Sequence, residues 1–207
     1  YPFTKDKIRV LYPGRDLSFQ PEPSKAVLEK WNLHTPYFLS VGTIEPRKNL
    51  LRLLEAYEIF RAQTQVNISL VLVGGRGWKN KTFYKALNKH PYRADILDLG
   101  YVDKQDLPAL YTHALAFIYP SLYEGFGLPI LEALACGANV ICGNRSSLPE
   151  VGGLVAHYFN PEDTDALVIQ MQAMVTNKTG NPNLSINQAA QFYWQAFAAD
   201  FKSVTNF

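Results

Sequence analysis

Short apolar runs alternate along the chain with longer segments in which apolar residues recur every three or four positions. The runs are typical of strands buried on both faces, and the recurring spacing is typical of helices that bury one face. Glycine or proline follows most of the runs and marks where each strand ends. The predicted strands span residues 8–12, 37–41, 68–73, 96–99, 114–119, 139–142 and 154–159.

The segments between these runs predict helices. Residues 49–60 show the pattern clearly, because Leu50, Leu53, Leu54 and Tyr57 would share one helical face. Strands that alternate with helices at this spacing favour βαβ units and one parallel sheet. The fold class predicted is therefore α/β, with a doubly wound parallel sheet of about six strands. The predicted helices span residues 24–31, 49–60, 79–89, 105–112, 128–136, 163–175 and 185–204.

Three parts are predicted along the chain. Residues 1–36 are interpreted as a linker segment with a short strand and a helix. Residues 37–184 form the α/β domain, and residues 185–207 form a C-terminal helix. Because the chain begins with Tyr1 and not with methionine, we expect it to be a piece of a longer protein.

Composition excludes several classes of protein. Hydrophobic residues make up 47% and charged residues 18% of the 207 positions, which is typical of a globular domain. No apolar run approaches the ~18 residues of a membrane span. The net charge of +2 is too small to indicate nucleic acid as a partner. The two cysteines and four histidines show neither a disulfide framework nor metal-ligand spacing, so no metal and no cofactor is predicted.

The loops that follow the strands concentrate the polar and glycine residues of the chain. Right-handed crossovers bring the carboxyl ends of parallel strands to one edge of the sheet, where open α/β sheets bind their ligands. We therefore expect these loops to face one cleft. They span residues 42–49, 74–78, 100–103, 120–127 and 143–147.

The first of these loops carries two adjacent cations, Arg47 and Lys48, just before a predicted helix. Free backbone N–H groups at a helix start, together with two cations, are suited to an anion. A solvated pair of cations is the alternative. Cations are mildly unfavourable at a helix N-terminus, so a bound phosphate would explain their position.

The fourth loop is rich in glycine, and Gly125 and Gly127 would let its backbone approach a ligand closely. The N–H groups of Phe126, Gly127 and Leu128 would then donate to phosphate or sugar oxygens. The third glycine of a dinucleotide fingerprint is missing, because Ile130 stands in its place. An NAD-binding Rossmann enzyme is therefore not favoured.

Two carboxylates flank this glycine loop: Glu124 lies within it and Glu132 lies on the following helix. A carboxylate accepts two hydroxyl hydrogen bonds, which suits a sugar or a ribose diol. Taken singly, each is better explained as an ordinary exposed glutamate, Glu124 in a surface loop and Glu132 on a helix. The glycines of residues 74–77 permit a similar approach to a ligand, with a tight turn beside a packed Trp78 as the alternative.

Residues 120–137 carry a specific pattern, two glutamates eight positions apart around a glycine loop, as Glu124 and Glu132. With the stretches 38–49, 99–103 and 145–150, this pattern resembles the C-terminal, nucleotide-sugar-binding domain of retaining glycosyltransferase family 4. The similarity runs from about residue 8 to about residue 194. It implies a Rossmann-like domain that is the C-terminal half of a GT-B glycosyltransferase.

The resemblance implies roles for individual residues. Arg47 and Lys48 would hold the donor diphosphate and, with Glu124 at the donor-sugar hydroxyls, form the catalytic group. Glu132 would bind the ribose hydroxyls, and the base would lie near Tyr101 and Val102. The remaining donor-binding residues implied are Gly42, Thr43, Gly74, Gly125, Phe126, Gly127 and Leu128.

The implied reaction moves a sugar from a UDP-, GDP- or ADP-sugar to a glycan or lipid-linked acceptor, with retention and without a metal. The acceptor would bind through an N-terminal domain that this chain lacks, so the chain alone would be inactive. The full enzyme would be cytoplasmic, with peripheral contact at the inner face of the membrane. Two positions depart from the family pattern: Thr43 replaces a further cation, and Asn139 replaces a proline.

Other functions stay open at the level of the sequence. A non-catalytic nucleotide-sugar-binding module would show the same donor site without an acceptor domain. A GT-B epimerase or phosphorylase would share the shape, but the epimerases lack the two-glutamate pattern. A phosphorylase would need a lysine for pyridoxal phosphate in a context that is not found here.

Overall fold

The computed structural model describes residues 8–177 and 180–205. In this part of the chain six strands form one parallel sheet in the order β3-β2-β1-β4-β5-β6. The fold class is therefore confirmed as a doubly wound α/β sheet. The strands are β1 (Tyr37–Val41), β2 (Ser69–Val73), β3 (Ile96–Gly100), β4 (Ala116–Tyr119), β5 (Val140–Gly143) and β6 (His157–Phe159).

Helices cover both faces of the sheet. Short 3₁₀ turns at Pro46–Lys48, Arg93–Asp95 and Lys104–Asp106 precede an α-helix or a strand. The α-helices are α1 (Ala26–Lys30), α2 (Leu50–Thr64), α3 (Lys81–Asn88), α4 (Leu107–His113), α5 (Leu128–Ala135), α6 (Leu148–Gly152), α7 (Thr164–Asn177), α8 (Pro182–Ala189) and α9 (Trp194–Thr205).

Each face of the sheet carries its own hydrophobic core. In β1, Leu39 points into the core beneath α5, and Phe38 points into the core beneath α2. Both side chains are fully buried, which explains why β1 is a continuous apolar run. The sheet order reverses direction between β1 and β4, so the loops after these two strands lie side by side.

The predicted strand at residues 8–12 is absent, because none of the sheet pairings involves it. Tyr12 instead packs its ring against Phe126 and Phe192. Further along the same segment, Phe19 and Leu28 are buried in the core. The segment therefore contributes to the packing of the domain as irregular chain followed by a short helix. Residues 1–7 of the predicted linker lie outside the described part of the chain.

The predicted single helix over residues 185–204 is wrong, because α8 ends at Ala189 and α9 begins at Trp194. Between them, the backbone N–H of Arg15 donates to the carbonyl oxygen of Phe192 at 2.9 Å. Phe192 is buried, edge-on to Phe126 with ring centroids 5.7 Å apart. This packing draws the chain out of helical geometry. Helix α6 was not predicted, because five residues are too few for a helical repeat to show.

Candidate functional site

The loops after β1 and β4 are joined at the switch point of the sheet. The backbone N–H of Leu122 donates to the carbonyl oxygen of Arg47 at 2.9 Å. The hydroxyl oxygen of Ser121 also lies 3.1 Å from this carbonyl oxygen. Two loops predicted to share a cleft therefore do meet, and Arg47 lies at their junction.

The carboxyl group of Glu124 is the centre of a polar cluster at this junction. Its Oε1 accepts hydrogen bonds from Lys48 Nζ at 2.7 Å, from Ser121 Oγ at 2.6 Å and from Tyr119 OH at 2.9 Å. Its Oε2 lies 2.5 Å from Arg47 Nη1. Glu124 is only 9% exposed, so these contacts replace most of its hydration. The sequence indicated Arg47, Lys48 and Glu124 but missed Ser121 and Tyr119.

The pKa of Glu124 lies below its ordinary value. Burial acts to raise this pKa, but hydrogen bonds from Lys48, Ser121 and Arg47 outweigh the effect of burial. Burial and the neighbouring Glu124 carboxylate raise the pKa of the Tyr119 hydroxyl well above its ordinary range. Glu124 is therefore an anion at neutral pH, and Tyr119 is a neutral hydrogen-bond donor.

A second carboxylate, Glu45, balances the charge of the cluster. Its Oε1 lies 2.6 Å from Nη2 of Arg47, whereas Glu124 contacts Nη1. Lys48 is nearly buried, with its ammonium 4.7 Å from the centroid of the Tyr119 ring. Arg47 is more exposed. The two cations and two carboxylates together carry no net charge, and Arg47 is the cation that an incoming ligand meets first.

The glycine loop leads from this cluster into α5. Gly127 has φ +113°, in the left-handed region that favours glycine. Among the described residues, the backbone N–H groups of Phe126, Gly127 and Leu128 donate no backbone hydrogen bond. The hydroxyl of Ser147, just before α6, donates to the carbonyl oxygen of Phe126 at 2.7 Å and so links the loop to the start of α6. The start of α5 therefore has three backbone N–H groups without a backbone hydrogen-bond partner in the described residues.

Glu132 does not join the Glu124 cluster. It lines a separate cavity of about 380 Å³, beside Leu128 and Leu131. The ion pair of Asp16 with Lys104 also lies at this cavity. Because Leu128 belongs to both the cavity and the glycine loop, the two sites are adjacent.

The environment of Glu132 changes its acidity. Burial raises the pKa of Glu132 to about 7, although the hydroxyl of Tyr111 donates to its Oε2 at 3.1 Å and acts to lower it. The attraction of Lys104 also lowers this pKa, and the repulsion of Asp16 raises it. Near neutral pH, this carboxyl is therefore partly protonated.

The other residues singled out from the sequence lie around these two sites. Gly74 has φ +145°, and a Cβ on it would overlap the carbonyl oxygen of Gly42, so the loops after β1 and β2 touch there. Thr43 is exposed beside them. Tyr101 is 77% exposed, whereas Val102 is buried in the core, so only Tyr101 offers its side chain to a ligand.

Within residues 8–177 and 180–205, no group of three or more potential metal ligands is found. No helix in this part of the chain combines the length and the apolar character that crossing a membrane requires.

The fold and the switch-point cluster define a Rossmann-like α/β domain of the GT-B type. A TM-score of 0.78 over 96% of the chain relates it to sucrose-phosphate synthase from Thermosynechococcus elongatus, at 23% identity and over 52% of that protein. Anabaena Alr3699/HepE, whose structure was solved in complex with UDP-glucose, gives a TM-score of 0.80 at 18% identity, over 96% of this chain and 57% of that one.

Sequence comparison identifies the family. The model of the family "Glycosyl transferases group 1" matches residues 25–191, so the chain belongs to that family. It is 40% identical over 179 residues to O-antigen chain mannosyltransferase B of Escherichia coli, covering 84% of this chain and 47% of that protein. It is 33% identical over 187 residues to the serotype-specific mannosyltransferase WbdA of Escherichia coli, covering 86% of this chain and 22% of that protein. The chain thus spans about half or less of these relatives.

Proposed function

We propose that this chain is the donor-binding half of a retaining glycosyltransferase that moves mannose from a nucleoside diphosphate to a growing polysaccharide. The observation that carries the proposal is the meeting of Arg47, Lys48 and Glu124 beside the free N–H groups at the start of α5. The printed names of the relatives, an O-antigen chain mannosyltransferase and WbdA, support mannose and a polysaccharide.

The diphosphate of the donor would bind in front of α5. There the N–H groups of Phe126, Gly127 and Leu128 would donate to phosphate oxygens, and the helix start adds partial positive charge. Arg47, the more exposed cation, and Lys48 beside it would both donate to the phosphates from the loop after β1. When the glycosidic bond breaks, negative charge grows on the diphosphate, and donors already in position lower the energy of that state.

Glu124 would have a double role. Its Oε1 already accepts three hydrogen bonds, so this oxygen orients Lys48. Its Oε2 contacts only Arg47 among the described residues, and it would accept one hydroxyl of the donor sugar. In this arrangement Glu124 places the cations and the sugar relative to each other.

The nucleoside would occupy the cavity of Glu132. An ionised carboxylate accepts both hydroxyls of a ribose, and the adjacent Leu128 offers apolar surface. The base would extend toward the exposed Tyr101, and UDP, GDP and ADP are the candidate nucleotides. The acceptor, a glycan or a lipid-linked glycan, would bind across the cleft through a second domain, and the whole enzyme would act on the cytoplasmic side without a metal.

The test is titration calorimetry of the chain with UDP, GDP, ADP and their mannose conjugates. We expect one nucleotide to bind clearly better than the others. Lys48→Met should weaken that binding by roughly 10-fold to 150-fold, the range for losing a charged hydrogen bond. Lys85→Met, which removes an exposed lysine of α3, is the matched control and should leave binding unchanged. Unchanged affinity in Lys48→Met would contradict the assignment of the site.

A further inference from the structure

The loop after β2 presents a large aromatic side chain at the carboxyl edge of the sheet. The indole of Trp78 is 57% exposed, although a residue of this size is usually largely buried. Its Nε1–H donates to Oε2 of Glu45 at 2.9 Å, and the ammonium of Lys79 lies 5.3 Å from its ring centroid. The indole is thus exposed and held in one orientation.

The contact that holds Trp78 continues into the donor site. Oε1 of Glu45 lies 2.6 Å from Arg47 Nη2, and Arg47 Nη1 lies 2.5 Å from Oε2 of Glu124. Two side chains therefore connect the exposed indole to the carboxylate proposed to contact the donor sugar. A ligand resting on Trp78 would have a defined position relative to that sugar.

A cavity of about 310 Å³ opens beside this loop, between the starts of α2 and α3. This volume is at the lower end of the range for small-molecule sites. Its lining combines an apolar floor with hydrogen-bonding groups, and its one carboxylate, Glu45, is balanced by one ammonium, Lys79. Leu50, Leu51 and Phe83 belong to the apolar floor, and Asn80 and Thr82 add uncharged polar groups.

This combination suits a neutral, hydroxyl-rich ligand better than a phosphate or a peptide. A pyranose has a C–H face that packs on an aromatic ring, and its hydroxyls both donate and accept hydrogen bonds. Glu45 would accept from such hydroxyls, and Lys79 would donate to them. Because the indole is already oriented, little conformational freedom is lost when a sugar binds.

We propose that the face of Trp78 and the adjoining cavity form a carbohydrate subsite that binds a pyranose unit of the acceptor glycan. This proposal rests on the proposed function, because a polysaccharide-elongating enzyme is expected to hold its growing chain near the donor. It assigns to this chain a part of acceptor recognition, in addition to donor binding.

The test follows the indole N–H signals of ¹⁵N-labelled protein by nuclear magnetic resonance during titration with α-linked mannotriose. The chain has three tryptophans, so Trp78 can be followed separately from Trp31 and Trp194. We expect the Trp78 signal to shift in a saturable way while the other two stay in place. The titration extends to ~10 mM, because weak sugar sites have millimolar Kd values.

Two variants and one control test the location of the subsite. Trp78→Ala removes the platform, and Leu51→Arg fills the cavity from the exposed first turn of α2. Each should weaken mannotriose binding by tenfold or more, as measured by calorimetry. Tyr193→Ala removes an aromatic residue of similar exposure just before α9 and should change the affinity less than twofold.

The outcomes separate this proposal from the proposed function. A mannotriose shift that persists in the presence of saturating nucleotide supports a subsite distinct from the donor site. The subsite would be overturned by the absence of a saturable Trp78 shift or by a shift that nucleotide abolishes. It would also be overturned if Trp78→Ala and Leu51→Arg both bound mannotriose as tightly as the wild type. Nucleotide binding is measured on the same samples and tests the donor site independently. If the wild-type chain bound no nucleotide, that result would count against the proposed function and not against the subsite.

Discussion

Replacing Glu132 with glutamine removes one buried ionisable group without changing its shape. The carboxyl lies in the cavity beside α5 and accepts a hydrogen bond from Tyr111, which the amide oxygen of glutamine can also accept. The charged groups that influence it are Lys104 and Asp16. Because the neutral side chain needs no hydration of a charge, Glu132→Gln isolates the cost of ionising this position.

The magnitude follows from the raised pKa. The pKa rises from 4.5 to about 7 on folding, a difference of about 2.5 units. At about 1.4 kcal/mol per unit, ionising Glu132 lowers the free energy of unfolding by about 3 kcal/mol at high pH. The contribution of the neutral Glu132 carboxyl to the free energy of unfolding is fully present below pH 4.5 and is lost as the pH rises through 7. Glu132→Gln should therefore match the wild type at low pH and be about 3 kcal/mol more stable above about pH 8.

The assay is urea denaturation of both proteins across this pH range, with the free energy of unfolding extrapolated to water. Glu58→Gln, which changes an exposed glutamate of α2, is the control and should follow the wild-type curve. Glu132→Gln should also weaken nucleotide binding, because an amide oxygen accepts hydrogen bonds from ribose hydroxyls less strongly than a carboxylate does. Parallel stability curves for Glu132→Gln and the wild type would refute the argument from burial.

The remaining predictions concern the framework around the site. Gly74→Ala should destabilise the domain by roughly 2–4 kcal/mol in chemical denaturation, because its Cβ would overlap a carbonyl oxygen, whereas Gly75→Ala, with open space around the new Cβ, should cost less. Asn49 has φ +57°, and its side-chain amide donates to two loop carbonyl oxygens. Asn49→Ala should lower the free energy of unfolding by about 2–4 kcal/mol, and Asn49→Gly by about 1 kcal/mol less, because glycine tolerates this φ. Equal losses in the two variants would contradict the role of φ. Burial raises the pKa of Cys136 to about 12 and that of Cys142 further, so both thiols should resist a thiol reagent in the native state and react after unfolding; rapid native labelling would argue against their burial.

The order of strands and helices along the chain was predictable because each element is specified locally. The apolar run of β1 matches its observed bounds, Tyr37–Val41, and Gly42 ends it. The loops predicted to share a cleft include those after β1 and β4, which are in contact. Hydrophobic runs and glycine positions are read within a few residues, so these features depend little on the rest of the fold.

The contacts of the site were not predictable to the same degree. The sequence singled out Arg47, Lys48 and Glu124 as donor-site residues, and these roles remain a proposal. That Glu124 pairs with both cations depends on strand β4 lying next to β1, which local patterns do not specify. Glu45 was overlooked, because an isolated loop glutamate carries no signal until its two partners are known.

The break between α8 and α9 also shows the difference between local patterns and tertiary contacts. The helical repeat of apolar residues continues through Phe192 and Trp194, so the sequence predicts one long helix, but burial of Phe192 against Tyr12 and Phe126 interrupts it. The acidity of Glu132 likewise depends on how deeply the fold buries it. The sequence by itself determined the α/β class, the six strands of the sheet and the glycine loops, because these depend on neighbouring residues. Only the tertiary structure decided the ion pairs of Glu124, the helix break and the shifted pKa, because each arises from groups far apart in the chain.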